Sequence, residues 1–484
     1  MKREPFNVLM PNANSWDRVP RATLIGTIVL NAVGASAFAT TALITIGGVT
    51  VLTGASLVGS LIMYAVTSWA AKASTPKFDS GAMSSSGLLV NGRESAAPQQ
   101  FVYGEIRKGG TVTFYESTGD DNKFLHQIIV LAGHEVHDIT NIFINDTIQS
   151  LDSNGFVTDA EWDSKIRVYK HLGNQTSATD DFANVSGKNL ANTLIADSEL
   201  TGDDALDSNF VGKGLAYLYV RYEYDREVFA NGLPIVTATV QGKKVFDPRA
   251  SGQQLSNPST WTYSNNPALC IADFLYSEYG LDDSLINYTT IQSAANECDE
   301  NVALTGGGTQ KRYRLDGVIS ASRPVGGVLE DMVTSCAGTL FYGAGQWVLK
   351  AGAYSTPVKT FTDDDFRSGI TLETKISMRD NFNVVQGTFI DEAEGYITGD
   401  YPQVSNATFL SEDNNQESIL DLNLPFTTNS TSAQRLAKLT LLRGREQMSF
   451  SADFSTDAIE VEVGDIVQLT HARYGFTNKL FEVL

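Results

Sequence analysis

Two histidines three positions apart, His134 and His137 in AGHEVHDI, stand beside Glu135 and Asp138 and form the first candidate for metal ligation or acid–base work. The surrounding residues alternate as in a strand, which turns positions i and i+3 to opposite faces and so prevents the pair from closing on one ion. A surface strand is the reading this spacing supports. In SLDSNGFVTDAEW, Asp152, Asn154, Gly155 and Glu161 fall where a calcium loop needs them, but Ser150 holds the first ligand position and no flanking helix is evident. A turn built on Asp152 to Gly155 is expected instead. TGGGTQKRY, residues 305–313, is glycine-rich yet lacks the GK[ST] ending that brings a lysine onto phosphate, leaving a flexible loop. Carboxylates gather in TFTDDDF, residues 360–366, and at Asp391–Glu392; paired acids can divide general-acid and general-base work. With 56 acidic residues in the chain, such neighbours also arise by chance. No GxSxG or HExxH is present, and no locally supported Cys/His set, so nucleophilic and metallohydrolase schemes lack their residues. Cys270, Cys298 and Cys336 are odd in number, widely spaced and without CxxC, which points to buried thiols rather than a disulfide framework or a zinc site. The chain is expected to be no enzyme and to need no cofactor or metal.

The elements that would position these residues are mainly β. From about residue 80 to 250, runs such as QFVYGEIRKGGTVTFYE, GLAYLYVRYEY and LPIVTATVQGKKVFD read as strands of four to eight residues separated by Gly- and Asn-bearing turns. Residues 262–340 change period. In YSNNPALCIADFLYSEYG, Asn266 is an N-cap, Pro267 suits the first helical position and Gly280 stands where a left-handed residue ends a helix. Cys270, Ile271, Phe274 and Leu275 are its expected anchors, whereas Ser277 should tolerate alanine. Helices near Thr289–Glu300 and Pro324–Ala337 follow, then a hairpin turning at Gly343 to Gln346. Beyond residue 355 the β pattern returns, apart from TSAQRLAKLTLLRGREQ, whose Ala433, Leu436, Ala437, Leu439 and Thr440 spacing makes a helix.

With 484 residues the chain is too long for one core, and about 100–200 residues per domain gives three or four units. The fold class expected is α+β, multidomain and mainly β: a polar leader and apolar helical arm over 1–78, a β-rich domain over 79–255, an α/β domain over 256–355, and a second β-rich domain with one helix over 356–484, clipped at its C-terminus. A formal net charge of -21 opposes binding to phosphate backbones and anionic headgroups, so DNA is not an expected ligand. Against this, Ala22 to Ala71 carries no charged side chain. It is long enough for two spanning helices, but Gly, Ala, Ser, Thr and Asn31 dilute it, and closely spaced small residues also suit helices packed inside a protein assembly. The leader MKREPFNVLMPNANSWDRVPRA is mixed in charge and is not a signal peptide.

The ordered blocks FVYGEIRKGG, GLAYLYVRYEYDREVFANGLPIVTATVQGKKVFDPR, YSNNPALCIADFLYSEYG, CDENV, RYRLDGVISASRPVGGVLEDMVTSCAGTLFYGAGQWVLKAG, RDNFNVVQGTFID and VGDIVQLTHARYGF resemble the tip-attachment, or host-specificity, proteins of lambda-like siphophages, over about residues 90 to 484. The resemblance implies the central tail hub: a homotrimer with barrel-like hub domains placed twice per chain, so that three chains match a sixfold tube. It implies a place in the virion at the distal end of the tail, the distal tail ring and tape measure as partners, and DNA that passes through without specific binding. Contact with a host receptor falls to C-terminal modules beyond these residues. Residues 22–71 are then an arm buried by protein, with transient membrane contact during ejection as a second role. The competing classes are a membrane-anchored envelope protein or adhesin, supported by residues 22–71, and a wall-degrading enzyme, supported by abundant carboxylates.

Overall fold

In the computed structural model, the described residues are 89–94, 96–175, 212–375, 377 and 381–484, with the backbone of Thr27–Val33, Thr45–Ile46 and Val49–Thr50. The first of these segments, β1 (Thr27–Val33), is extended rather than helical. This corrects the helical arm over those seven residues. Thr27, Ile28, Val29 and Val33 are β-branched and favour a strand, and two neighbouring strands supply the backbone partners that a helix would otherwise provide for itself. Thr45–Ile46 and Val49–Thr50 are likewise extended and pair antiparallel with each other, which corrects the helical expectation there too; the remainder of the expected arm and the linker up to residue 88 lie outside the described residues.

The chain next builds two antiparallel sheets about one core. Its strands are β2 (Gln100–Tyr103), β3 (Glu105–Lys108), β4 (Thr111–Thr118), β5 (Phe124–Ala132), β6 (Asp138–Ile144), β7 (Thr147–Gln149), β8 (Ile166–His171), β9 (Ala216–Glu223) and β10 (Val236–Gln241). One sheet has the order β8-β9-β5-β4 and the other β3-β10-β6-β7. Ile129, Leu131, Val168 and Val220 of the first meet Ile106, Ile139, Ile142 and Val240 of the second, all buried. These strands form two packed sheets, not one continuous closed sheet.

A second core is helical. It gathers α1 (Pro267–Asp273), which continues as a π-turn over Phe274–Glu278, α2 (Tyr288–Asp299) and α3 (Val325–Thr334). As the sequence predicts, the Asn266 side chain caps α1 by accepting from the Ala268 N–H, Pro267 opens the helix, and Gly280 adopts φ 78° just past its end. The strand β11 (Gly317–Ser320) pairs with β2 in a separate two-stranded sheet, outside the two four-stranded ones. The hairpin β12 (Thr339–Gly343) and β13 (Gln346–Lys350) turns through Ala344 and Gly345, both at positive φ as a two-residue hairpin turn requires. The same core receives Val385, Phe389, Leu422 and Phe426, and the buried face of a later helix, α4 (Ser430–Arg445), through Ala433, Leu436, Ala437 and Leu441.

The third core belongs to a six-stranded sheet, in which β14 (Lys359–Phe361), β15 (Thr371–Glu373), β16 (Ser449–Asp453), β17 (Ile466–His471) and β18 (Phe476–Val483) stand in the order β14-β17-β18-β1-β16-β15. Phe361, Phe450, Phe454 and Phe481 fill its centre. β1 lies between β16 and β18, pairing Leu30 with both Phe450 and Val483. Among the described residues, no helix is long and apolar enough to cross a membrane.

Candidate functional site

The candidates named from spacing are dispersed into structural roles. His134 and His137 lie in the connection between β5 and β6, not on a strand, which corrects the surface-strand expectation. The chain bends there, and His134 turns inward to accept from the Val102 N–H at 2.9 Å while contacting the Glu135 carbonyl at 2.6 Å. Burial lowers its pKa to about 3, keeping the ring neutral. His137 instead stacks on Tyr263, so the two share no ligand.

The loop at 150–161 is the expected turn. Asp152 Oδ1 accepts from the Asn154 and Phe156 N–H groups at 2.9 and 2.8 Å, Gly155 takes φ 82°, and Asp159 accepts from the Ser150 N–H at 2.9 Å. Because these oxygens already hold backbone donors, prolonged chelation should leave the thermal midpoint unchanged. A fall reversed by added calcium would show an ion held there. Residues 305–313 form a tight connection in which Gly307 and Gly308 adopt positive φ between two short strands. Asp363–Asp365 is a 3-10 turn whose Asp365 caps Thr362, and Asp391 caps the Ala393 N–H. Among the described residues, no group of three or more His, Cys, Asp or Glu is placed to hold a metal.

What the fold brings together is a polar spine along β2 and β3, where alternate residues of QFVYGEIRK reach into different parts of the molecule. Tyr103 is buried and its hydroxyl donates to Asp273 Oδ2 of α1 at 2.6 Å. Lys243 Nζ donates to the same oxygen and to Glu278, both at 2.7 Å, while the Ser277 hydroxyl donates to Asp273 Oδ1 at 2.8 Å. Burial lowers the Lys243 pKa, but Asp273 and Glu278 more than offset that and hold it above its ordinary value. Ser277 therefore completes the Asp273 shell, and Ser277→Ala should cost about 1 kcal/mol in denaturant unfolding, not the near-neutral effect that the sequence implies.

The next residue, Gly104, runs at φ 66° against Leu315 and Asp316, where a Cβ would come within 2.1 Å of the Leu315 carbonyl oxygen. Only glycine permits this approach. It brings the Glu105 N–H to Asp316 Oδ1 at 2.9 Å. Asp316 Oδ1 also receives Asn265, while Oδ2 receives Thr428 at 3.0 Å and Arg314 at 3.1 Å. Arg314 and Thr428 each reach Glu392 as well, at 3.2 and 3.3 Å. Burial raises the Asp316 pKa above its ordinary value, even though Arg314 and the hydrogen bonds oppose it.

Arg107 forms the third tie. Its guanidinium lies over the Phe143 ring and donates to Thr237 at 2.8 Å, Asp146 at 2.5 Å and the Gly395 carbonyl at 3.3 Å. Lys108 is buried beside the Leu131 carbonyl and Gln100, and burial lowers its pKa to about 7. In chemical terms the spine is a set of largely buried polar ties between cores. Sequence spacing missed it; the one local trace is a glycine beside an acid in both YGE and LDG.

Comparison with known proteins finds similarity to proteins of phage tails. A family described as putative phage tail protein matches residues 327–481. The baseplate hub protein pb3 of Escherichia phage T5 is 24% identical over 348 residues, covering 67% of this chain and 35% of that protein. The tip attachment protein J of Escherichia phage SECphi27 is 25% identical over 186 residues, covering 36% of this chain and 16% of that protein. The chain thus spans about a third or less of the length of these relatives. A chain from the virion of a native gene transfer agent particle shares the fold at TM-score 0.50, with 12% identity over 82% of this chain and 86% of that one. The resemblance to the tail-tip proteins is borne out at this level: the chain is similar to phage tail proteins, among them a baseplate hub protein and a tip attachment protein.

Proposed function

We propose that the chain is the central hub of a phage tail tip, closing the tail tube as a homotrimer at the distal end of the virion and linking it to receptor-binding parts. In this reading the double-sheet core and the six-stranded sheet act as the two hub units of each chain, so three chains present six around the tube. The distal tail ring and the tape measure are its neighbours, and DNA passes through during ejection. Residues 22–71 outside β1 serve as an arm buried by protein, with membrane contact confined to ejection.

The observation that carries the reading is the distribution of charge. Between Arg379 and Arg435 the chain has no basic residue, and Glu394, Asp400, Glu417 and Asp421 of this stretch are exposed. A wall with this character repels phosphate instead of retaining it at each step of DNA passage. Mass measurement of the assembled species, together with imaging of particles, tests the proposal. Three copies on the threefold axis of the tail tip are expected; a stable monomer in the tail, or a copy number not divisible by three, overturns it. The membrane-anchor alternative would instead show the intact protein partitioning into bilayers before any tail assembles.

A further inference from the structure

Asparagine precedes glycine at Asn91–Gly92, Asn154–Gly155 and Asn231–Gly232, all among the described residues. Such a step can cyclise, because glycine has no side chain to shield its nitrogen from the amide carbon of the preceding asparagine. The nitrogen must swing onto that carbon, so bonds on either side of the step oppose the reaction. Asn91 is held: its side chain donates to the Val236 carbonyl at 2.8 Å and accepts from the Val236 N–H at 2.9 Å. The Gly92 N–H donates to the Gly110 carbonyl at 3.1 Å, and the Gly92 carbonyl accepts from Val112 at 2.8 Å. Asn154 is held through its backbone, where its carbonyl accepts from Arg167 Nε at 2.8 Å. Gly155 is buried, its N–H donates to the Asp152 carbonyl at 3.0 Å, and its carbonyl accepts from the Val168 N–H at 2.7 Å. The third step stands in the connection between β9 and β10. Asn231 and Gly232 are both exposed, and a Cβ on Gly232 would meet nothing within 4 Å. The Gly232 N–H donates to the Phe229 carbonyl at 3.0 Å within a surface turn.

We infer that Asn231 is a self-modification site, at which the folded chain deamidates to aspartate and isoaspartate while Asn91 and Asn154 are protected. The Gly232 nitrogen loses its proton and attacks the Asn231 Cγ. The side-chain amide departs as ammonia, taking up that proton, and a succinimide ring closes. Water then adds to either ring carbonyl. Opening at the side-chain carbonyl gives aspartate; opening at the main-chain carbonyl gives isoaspartate, with the chain rerouted through the former side chain. Water enters, ammonia leaves, and nothing is oxidised or reduced. Exposed turns open at little free-energy cost, so the Gly232 N–H is readily released from Phe229, whereas the other two steps react only after contacts to distant strands break. Each conversion adds a carboxylate to a chain already at a net charge of -21 and sets it beside Leu233 and Ile235, both exposed. The bonds between Asn145 and Ile235, at 3.0 and 3.1 Å, fix the chain just beyond the turn and confine the rerouting to it. This inference goes beyond the hub reading and does not depend on it.

The test incubates the intact protein for weeks in mildly alkaline buffer and follows all three steps by peptide mass mapping, with a parallel sample held unfolded in denaturant. In the folded chain the Asn231 peptide should gain the mass of an amide-to-acid exchange and split into two isomers, roughly tenfold or more faster than the Asn91 and Asn154 peptides. In the unfolded chain the three rates should draw together, because each asparagine then has the same glycine after it and no fold to hold it. Equal rates in the folded chain, or earlier conversion of Asn91 or Asn154, overturn the inference. So does the same lead for Asn231 in denaturant, which would assign the selectivity to the local sequence. Asn231→Gln should remove the acidic form that isoelectric focusing detects in the aged protein; an acidic form that persists in this variant also overturns the inference.

Discussion

Asp316→Ala should lower the unfolding free energy by about 3–5 kcal/mol, because removing one partner of a buried ionic network strands the others. Asp316 is fully buried and serves four donors from separate parts of the chain: the Glu105 N–H, Asn265, Arg314 and Thr428. Alanine leaves the Glu105 N–H facing a void, while Arg314 keeps Glu392 and draws the loss toward the lower end of the range. Asp316→Asn retains an acceptor at the Oδ1 position and should cost less. The pH dependence has a definite sign. Burial holds the folded pKa of Asp316 above its ordinary value, so the folded state binds the proton more tightly than the unfolded chain does. This group's contribution therefore grows as pH falls through the folded value and is lost as pH rises above it. Denaturant unfolding across pH measures both effects, and a loss below 1 kcal/mol in Asp316→Ala would show that the junction does not bind the parts together.

Leu275→Ala should cost about 2–5 kcal/mol through lost burial and the cavity left behind. Leu275 is fully buried in the π-turn that continues α1, packed in the helical core with Ile271 and Phe274. The turn is stapled by backbone bonds from Tyr279 to Phe274 and from Leu281 to Leu275, which restrict collapse into the space. Chemical denaturation alongside Ser277→Ala separates packing from polar support: the loss at Leu275 should be at least twice that at Ser277. Equal, small losses would place Leu275 outside the core.

The spine ties distant parts of the chain together through buried polar contacts. Two of its buried groups, Lys108 and Asp316, carry opposite pH trends. Lys108, lowered to about 7, binds no proton in the folded state above that value while the unfolded chain still does, so its contribution rises with pH from about 7 toward its ordinary 10.5. Asp316 works in the reverse sense.

Features that depend on neighbours along the chain were legible in the sequence. Asn266, Pro267 and Gly280 specify where a helix starts and stops because each acts on backbone groups within a few residues. Ala344 and Gly345 mark the hairpin turn for the same reason, and Asp152 satisfies N–H groups two and four positions on. The ordered series of tail-tip blocks was also visible, since order survives in the linear text. Features that depend on distant partners were not. The Glu105 bond to Asp316 spans 211 positions and the Thr428 bond 112, and Ser277 reads as an ordinary helix-surface residue until Asp273 is buried beside Lys243 and Tyr103. His134 left its expected strand because the inward turn of the chain gave its ring a backbone donor. The charge-free sequence of β1 suits helix and strand alike, so what decided the form of those seven residues was the pair of strands on either side. Short-range hydrogen bonds are set by the order of residues, whereas long-range pairing depends on which surfaces the folded cores bring within reach.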